Sequence, residues 1–237
     1  MKSEKNSAYK NKKFSFLGDS ISTLEGYNPE GYNVFYTKEK CLEAGIASPS
    51  DTWWGMVAEH FEAEVLVNNS YSGSWVAKMP HVDELFYSGC SDERTSALHR
   101  GDEKPDVIVV YLGTNDWYFG CSPECRADIQ RLKDQSFRYA YSNMLTKLKK
   151  NYPDAEIWCC TLSTSDAGAS EDGFPFERRG VHMSVYCDII RETAAEKGCR
   201  LIDIYPCFAA YATVDGFHPS KKGMETIAKL VLEEAKK

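Results

Sequence analysis

No apolar run in the 237 residues approaches the roughly 18 that a membrane-crossing helix needs, which excludes a membrane span. Positive charge is not in surplus either. Lys and Arg total 28 against 35 Asp and Glu, a formal net charge of −7, whereas nucleic-acid binding needs a basic stripe to displace phosphate counterions. The basic residues that do cluster are Lys2, Lys5, Lys10, Lys12 and Lys13, against Glu4 alone. Residues 1–13 therefore read as a solvated basic tail ahead of one domain at 14–237, since no amphipathic apolar face accompanies the lysines. The tail runs into Phe14-Ser15-Phe16-Leu17-Gly18-Asp19, well short of a secretory apolar region, so a cytoplasmic protein is expected. Repeats, low-complexity tracts and linkers are absent from the sequence. Histidine is sparse, five in all, and His60, His81, His99 and His182 lack an acidic neighbour at useful spacing in a loop block, which makes them surface or helix residues.

Cysteine is not scarce, but nine is an odd number in a chain large enough to build its own core, so thiols in a reducing compartment are expected rather than a disulfide framework. Cys159 and Cys160 sit together in an apolar run as small hydrophobes. Cys121 and Cys125 have C-x₃-C spacing with no second pair nearby to complete four zinc ligands, so no metal is expected there. Whether the two pair with each other stays open.

Short β-rich runs alternate with helical patterns, the mark of an α/β fold whose parallel sheet is covered on both faces. The strands are expected at Phe14–Gly18, Glu64–Asn69, Asp106–Leu112, Ala155–Thr161 and Arg200–Ile204, each bounded by Pro, Gly, Asn or Asp. Phe137, Ala140, Tyr141, Met144, Leu145 and Leu148 form one apolar helical stripe. Tyr186, Ile189, Ile190 and Thr193 form another, and Met224, Ile227, Ala228 and Val231 a third. A shorter helix starts near Trp53 with Ser50 or Asp51 as its N-cap. Residues 25–50, 117–134 and 163–180 follow neither period. Long loops after parallel strands gather at the sheet's carboxyl edge, where such folds bind ligands.

Chemistry is therefore expected at that edge. Ser20 follows the first strand in Gly18-Asp19-Ser20, and a serine hydroxyl needs a base to become a nucleophile at neutral pH. Asp215-Gly216-Phe217-His218-Pro219 supplies one: across a glycine turn the Asp215 carboxylate reaches His218 Nδ1 and leaves Nε2 free for the Ser20 proton. Donors for a developing oxyanion are offered by the Ser20 N–H, by Gly73 after the second strand and by the Asn115 amide after the third, with Asp116 capping its loop.

Gly18-Asp19-Ser20, Gly73, Gly113-Thr114-Asn115-Asp116 and Asp215-x-x-His218-Pro219, each in order at a strand end, resemble the blocks of the SGNH hydrolase superfamily, the GDSL-type lipases and esterases. The resemblance implies a flavodoxin-like three-layer α/β/α sandwich around a five-stranded parallel sheet. It assigns Ser20 as nucleophile, Gly73 and Asn115 as oxyanion donors, and Asp215 and His218 as the rest of a triad. It also implies hydrolysis of esters or thioesters with no cofactor and a small-molecule ester as the partner.

The substrate is left more open. Aromatic residues near the strand ends, Tyr36, Tyr71 and Trp117 foremost, with Tyr27, Trp75 and Tyr118, are expected to meet it. That favours a small acyl group such as acetyl on a carbohydrate or related alcohol. A lysophospholipase or acyl-thioesterase is the alternative within the superfamily, and an inactive ligand-binding module the alternative outside catalysis. A nucleotide binder is disfavoured, because Asp19 stands where a phosphate would be cradled. Arg178, Arg179, Asp166 and Asp172 read as solvated loop residues. The oligomeric state is not legible.

Overall fold

The computed structural model describes residues 8–78, 88–124, 133, 135–165, 177–205 and 210–237. Cys125, His81, Asp166 and Asp172 lie outside them, so the open question of Cys121 with Cys125 and the loop readings of the two acids fall outside the described residues; Cys121 itself is buried.

Five parallel strands form the central sheet: β1 (Lys13–Gly18), β2 (Glu64–Asn68), β3 (Val107–Tyr111), β4 (Glu156–Cys160) and, at the far edge, Arg200–Ile202. Their spatial order is β2-β1-β3-β4 followed by Arg200–Ile202. A two-stranded hairpin, β5 (Glu177–Arg178) with β6 (Val181–His182), precedes that last strand in the chain, which is accordingly β7. The order is that of flavodoxin-like doubly wound sheets, and it puts a switch point beside β1 and β3, where a crevice opens at the carboxyl ends.

The layers follow from alternation along the strands. In β3, Ile108 and Val110 face one core with α5 (Phe137–Asn151) and α6 (Met183–Lys197), while Val107, Val109 and Tyr111 face the other. The second core receives α2 (Trp53–His60) and α7 (Lys221–Glu234). The remaining helices, α1 (Lys38–Ala44), α3 (Asp92–Ser96) and α4 (Thr114–Phe119), are short and belong to the connections.

Two local expectations change. The N-cap of α2 is Thr52, whose Oγ1 accepts from Gly55 N at 3.1 Å. Ser48 and Asp51 are instead engaged in the capping box of a preceding one-turn 3-10 helix, Pro49–Asp51. The basic segment is also not solvated throughout. Lys13 begins β1, and the Tyr9 ring packs edge-on against Phe61 and Trp158 at 5.1 and 5.2 Å while its hydroxyl donates to Glu156 Oε2 at 2.9 Å. An amphipathic tyrosine thus covers the amino end of the sheet's aromatic core, with Lys10 paired to Glu62 and Lys12 to Asp106.

Candidate active site

β1 delivers the chain to Asp19, which caps the one-turn 3-10 helix Ser20–Ser22 by accepting from Ile21 N at 3.0 Å. That turn is fixed on every side. Thr23 Oγ1 donates to Ser20 O at 3.0 Å, Asn68 Nδ2 to Ser22 O at 2.8 Å and Trp53 Nε1 to Ser22 Oγ at 3.1 Å. Ser20 is 3% exposed, and its Oγ lies 3.0 Å from His218 Nε2.

His218 comes from the loop before α7. The glycine between it and Asp215 shapes that loop, because Gly216 has φ +85°, a left-handed conformation that turns the chain back on itself. Asp215 then faces the imidazole, its Oδ2 2.7 Å from His218 Nδ1, while its Oδ1 accepts from the backbone N of Phe217 at 3.0 Å and of His218 at 2.7 Å. Partial burial acts to raise the Asp215 pKa, but the hydrogen bonds from the His218 ring and from the two amides outweigh it and hold the carboxyl down at about 2. Pro219 precedes the N-cap Ser220 of α7 rather than standing inside the helix.

The two loops expected to supply oxyanion donors come to the same edge. Gly73 has φ +83°, and no acceptor among the described residues takes its N–H or that of Ser20. Asn115, 3% exposed near the start of α4, spends one Nδ2 hydrogen on Ser74 O at 3.0 Å. The other amide hydrogen remains for a ligand. Asp116 caps the Gly73 loop, accepting from Val76 N at 2.8 Å and Ala77 N at 3.0 Å.

The insert at 25–50 ties these parts together. Ser72 N donates to Asn33 O at 2.8 Å, Phe35 N to Thr23 Oγ1 at 3.0 Å and Tyr36 OH to Pro219 O at 2.6 Å, so one strap touches the Ser20, Gly73 and His218 loops. The Phe35 ring stacks on the His218 imidazole, centroids 3.4 Å apart and planes 12° apart.

The three aromatics expected to meet substrate are enclosed. Tyr36 is 0%, Trp117 1% and Tyr71 5% exposed. Tyr36 is the strut to Pro219, Trp117 Nε1 donates to Val181 O at 3.1 Å, and Tyr71 packs on Tyr32 with ring centroids 5.0 Å apart. Each is occupied in holding loops to the sheet. The rings beside His218 are Phe35 and Phe217, with Tyr118 edge-on to Phe217 at 5.1 Å and the Arg178 guanidinium over Tyr118 at 3.6 Å. Arg178 is thereby a packed residue of the β5–β6 hairpin rather than a solvated loop residue. Sequence reading also passed over Arg94, which is 0% exposed beneath the Gly73 loop. Among the described residues no cluster of three His, Cys, Asp or Glu side chains is arranged to hold a metal ion, and no helix is long and apolar enough to cross a membrane.

Burial raises Asp19 to about 7, against the hydrogen bond from Ile21 N and the charge of Arg94; its Oδ2 has no hydrogen-bond partner among the described residues. Burial raises Asp116 likewise to about 7, against the amides of Ala77 and Val76. A folded state that holds these protons more tightly than the unfolded chain is stabilised below the ordinary carboxylate pKa near 4, and loses that stability as pH rises through about 7. Asp19→Asn keeps an effective cap and removes one of the two titrations. The drop in unfolding free energy between pH 5 and pH 8, measured by denaturant titration, is expected to be smaller in Asp19→Asn by about 2–3 kcal/mol. Parallel curves for the two proteins would show that Asp19 does not titrate in this window.

Comparison with known proteins follows the same lines. The model of the family described as GDSL-like Lipase/Acylhydrolase matches residues 12–170, a span that holds Ser20, Gly73 and Asn115 and ends before Asp215 and His218. The chain is 36% identical over 163 residues to the cellulase/esterase CelE of Acetivibrio thermocellus, covering 63% of this chain but only 17% of that protein. A structure from Bacteroides uniformis assigned as a GDSL-like lipase superposes with a TM-score of 0.68 at 28% identity, covering 94% of each chain. A carbohydrate acetylesterase from Sinorhizobium meliloti superposes with a TM-score of 0.63 at 14% identity, over 95% of this chain and 97% of that one. An acetyl xylan esterase from Geobacillus stearothermophilus does so at 0.59 and 19%, over 95% of each. The last two show likeness of fold.

Proposed function

The chain belongs to the GDSL-like lipase/acylhydrolase family and is an ester hydrolase, and from that premise we propose that it removes a small acyl group, acetyl, from a carbohydrate or related alcohol through an acyl-enzyme on Ser20. The observation that carries this reading is the continuous relay from Ser20 Oγ to His218 Nε2 at 3.0 Å and from His218 Nδ1 to Asp215 Oδ2 at 2.7 Å.

In this reading His218 Nε2 takes the Ser20 proton as Oγ bonds to the ester carbonyl carbon, and the carbonyl oxygen becomes an oxyanion. The N–H groups of Ser20 and Gly73 and the free Nδ2 hydrogen of Asn115 receive that charge; one such donor typically contributes about 10²–10³ in rate. Collapse of the tetrahedral adduct expels the alcohol, which takes the proton from His218. Water then repeats the sequence on the acyl-enzyme: His218 takes one of its protons as its oxygen bonds to the acyl carbon, the Ser20 ester bond breaks with Ser20 regaining its hydrogen from His218, and the carboxylic acid departs and ionises to solvent. Asp215 stays ionised throughout and fixes the His218 tautomer.

The preference for an acetylated carbohydrate draws on the cellulase/esterase the chain matches in sequence and on two acetylesterases of carbohydrates that share its fold. A p-nitrophenyl ester series tests it. The highest kcat/KM is expected on acetate, falling roughly tenfold or more by octanoate. A maximum at octanoate or longer would point to a lysophospholipase or thioesterase, and turnover of no ester at all to a ligand-binding module.

A further inference from the structure

Arg94 is the residue the chemistry above leaves unexplained. Its guanidinium is fully buried, donating from Nε to Asn69 Oδ1 at 2.6 Å, from Nη1 to Ser74 Oγ at 2.9 Å, and from Nη2 to Asn69 O at 2.7 Å and Gly18 O at 3.0 Å. Gly18 lies two residues before Ser20. Asn69 and Ser74 bracket Gly73, and Ser74 also holds Asn115 through its carbonyl. One cation therefore joins the three segments that carry the oxyanion donors.

The helix bearing it is fixed in turn. Lys147 of α5 donates to Cys90 O at 2.7 Å, Asn151 Nδ2 to Thr95 O at 3.0 Å and Tyr152 OH to Ser96 O at 2.6 Å. The guanidinium carbon lies 5.7 Å from the Tyr32 ring centroid and 6.0 Å from that of Tyr71. A buried ion is expensive to desolvate, and apolar replacements of buried ion groups are often neutral or stabilising, so stability alone is a weak reason for a charge here. A planar fork of five donors, by contrast, holds several acceptors in one fixed plane, whereas a lysine ammonium has three donors that rotate on a flexible stem.

We infer that Arg94 is a positioning residue for the ester hydrolase reaction, setting the spacing of the Ser20, Gly73 and Asn115 donors to fit the tetrahedral oxyanion rather than the ground-state ester. The inference rests on the esterase reading above. It requires that loss of the fork be felt in the transition state and not in substrate binding.

The test uses Arg94→Lys, Arg94→Ala and Ser74→Ala, the last removing the Nη1 acceptor, a hydroxyl that also donates to Trp75 O at 3.2 Å. Each is assayed on p-nitrophenyl acetate, with the folded fraction counted by circular dichroism. Arg94→Lys is expected to lower kcat per folded molecule roughly 10–100-fold with KM within about twofold. Inhibition by an alkyl boronic acid, which forms a tetrahedral adduct on serine, is expected to weaken in parallel. Added guanidinium ion at non-denaturing concentration is expected to restore part of the kcat of Arg94→Ala. Ser74→Ala is expected to show the same kcat-selective loss at smaller size, and it decides the matter if the Arg94 variants do not fold. Unchanged kcat per folded molecule in Arg94→Lys overturns the inference. So does a loss confined to KM, or, where neither Arg94 variant folds, unchanged kcat in Ser74→Ala. An inert wild-type protein overturns the esterase reading and this inference with it, whereas an active wild type with any of those results overturns this inference alone.

Discussion

Replacing Ser20 with alanine is expected to lower kcat on p-nitrophenyl acetate by on the order of 10⁵–10⁶-fold while leaving the protein folded. The magnitude follows from geometry: the Ser20 hydroxyl is the atom His218 Nε2 contacts, at 3.0 Å. His218→Ala is expected to fall by a similar factor, and the double variant no further than either single one, because nucleophile and base act as a unit. A residual rate above water would survive, since the donors around the oxyanion remain. Steady-state kinetics with the two single variants and the double variant checks this. A Ser20→Ala protein within tenfold of wild type, or losses that multiply in the double variant, would remove Ser20 and His218 from one catalytic unit.

Asp215→Asn is expected to lower kcat by about 10⁴-fold with little change in KM. The carboxylate now accepts from His218 Nδ1 and from two backbone amides. Asparagine can satisfy the amides through its oxygen, but it then turns its NH₂ toward Nδ1, which stabilises the tautomer whose Nε2 carries a hydrogen and cannot take one from Ser20. The fold is retained while the chemistry fails. With a pKa held at about 2, Asp215 stays charged across an ordinary assay range, so the wild-type pH–rate profile is expected to show no limb from this carboxyl above about pH 4. A kcat within tenfold of wild type in Asp215→Asn would show that Asp215 does not set the tautomer.

Much of this site was legible because Ser20, Gly73 and Asn115 come soon after strand ends, which are punctuated, while Asp215 and His218 share one short glycine-bearing block before the last helix. The five sheet strands lie within the expected boundaries to one or two residues, since runs such as Val107–Tyr111 are β-branched and closed off by Asp and Gly. Asp116 is a loop cap, but of the Gly73 loop through Val76 N and Ala77 N and not of its own segment, a partner about 40 residues away that no local spacing marks. Arg94 was not legible. Its helix is five residues long with no apolar stripe, and its acceptors Gly18 and Asn69 lie 76 and 25 residues away, so nothing local marks it. Phe35 was visible only as one aromatic in an insert with neither period, and its place on the His218 ring depends on the fold closing. Tyr36, Tyr71 and Trp117 show the converse. Aromatic content near a strand end predicts contact with that edge, but only packing decides whether a ring faces substrate or braces the loop beneath.

The proposed acyl transfer depends on a covalent bond to one oxygen atom, Ser20 Oγ. Incubation with a fluorophosphonate followed by peptide mapping by mass spectrometry reads that bond directly. The expected result is a single adduct on Ser20, absent in Ser20→Ala and slowed in His218→Ala. An adduct on any other residue, or an unlabelled Ser20 in protein that loses its esterase activity to the probe, would contradict it.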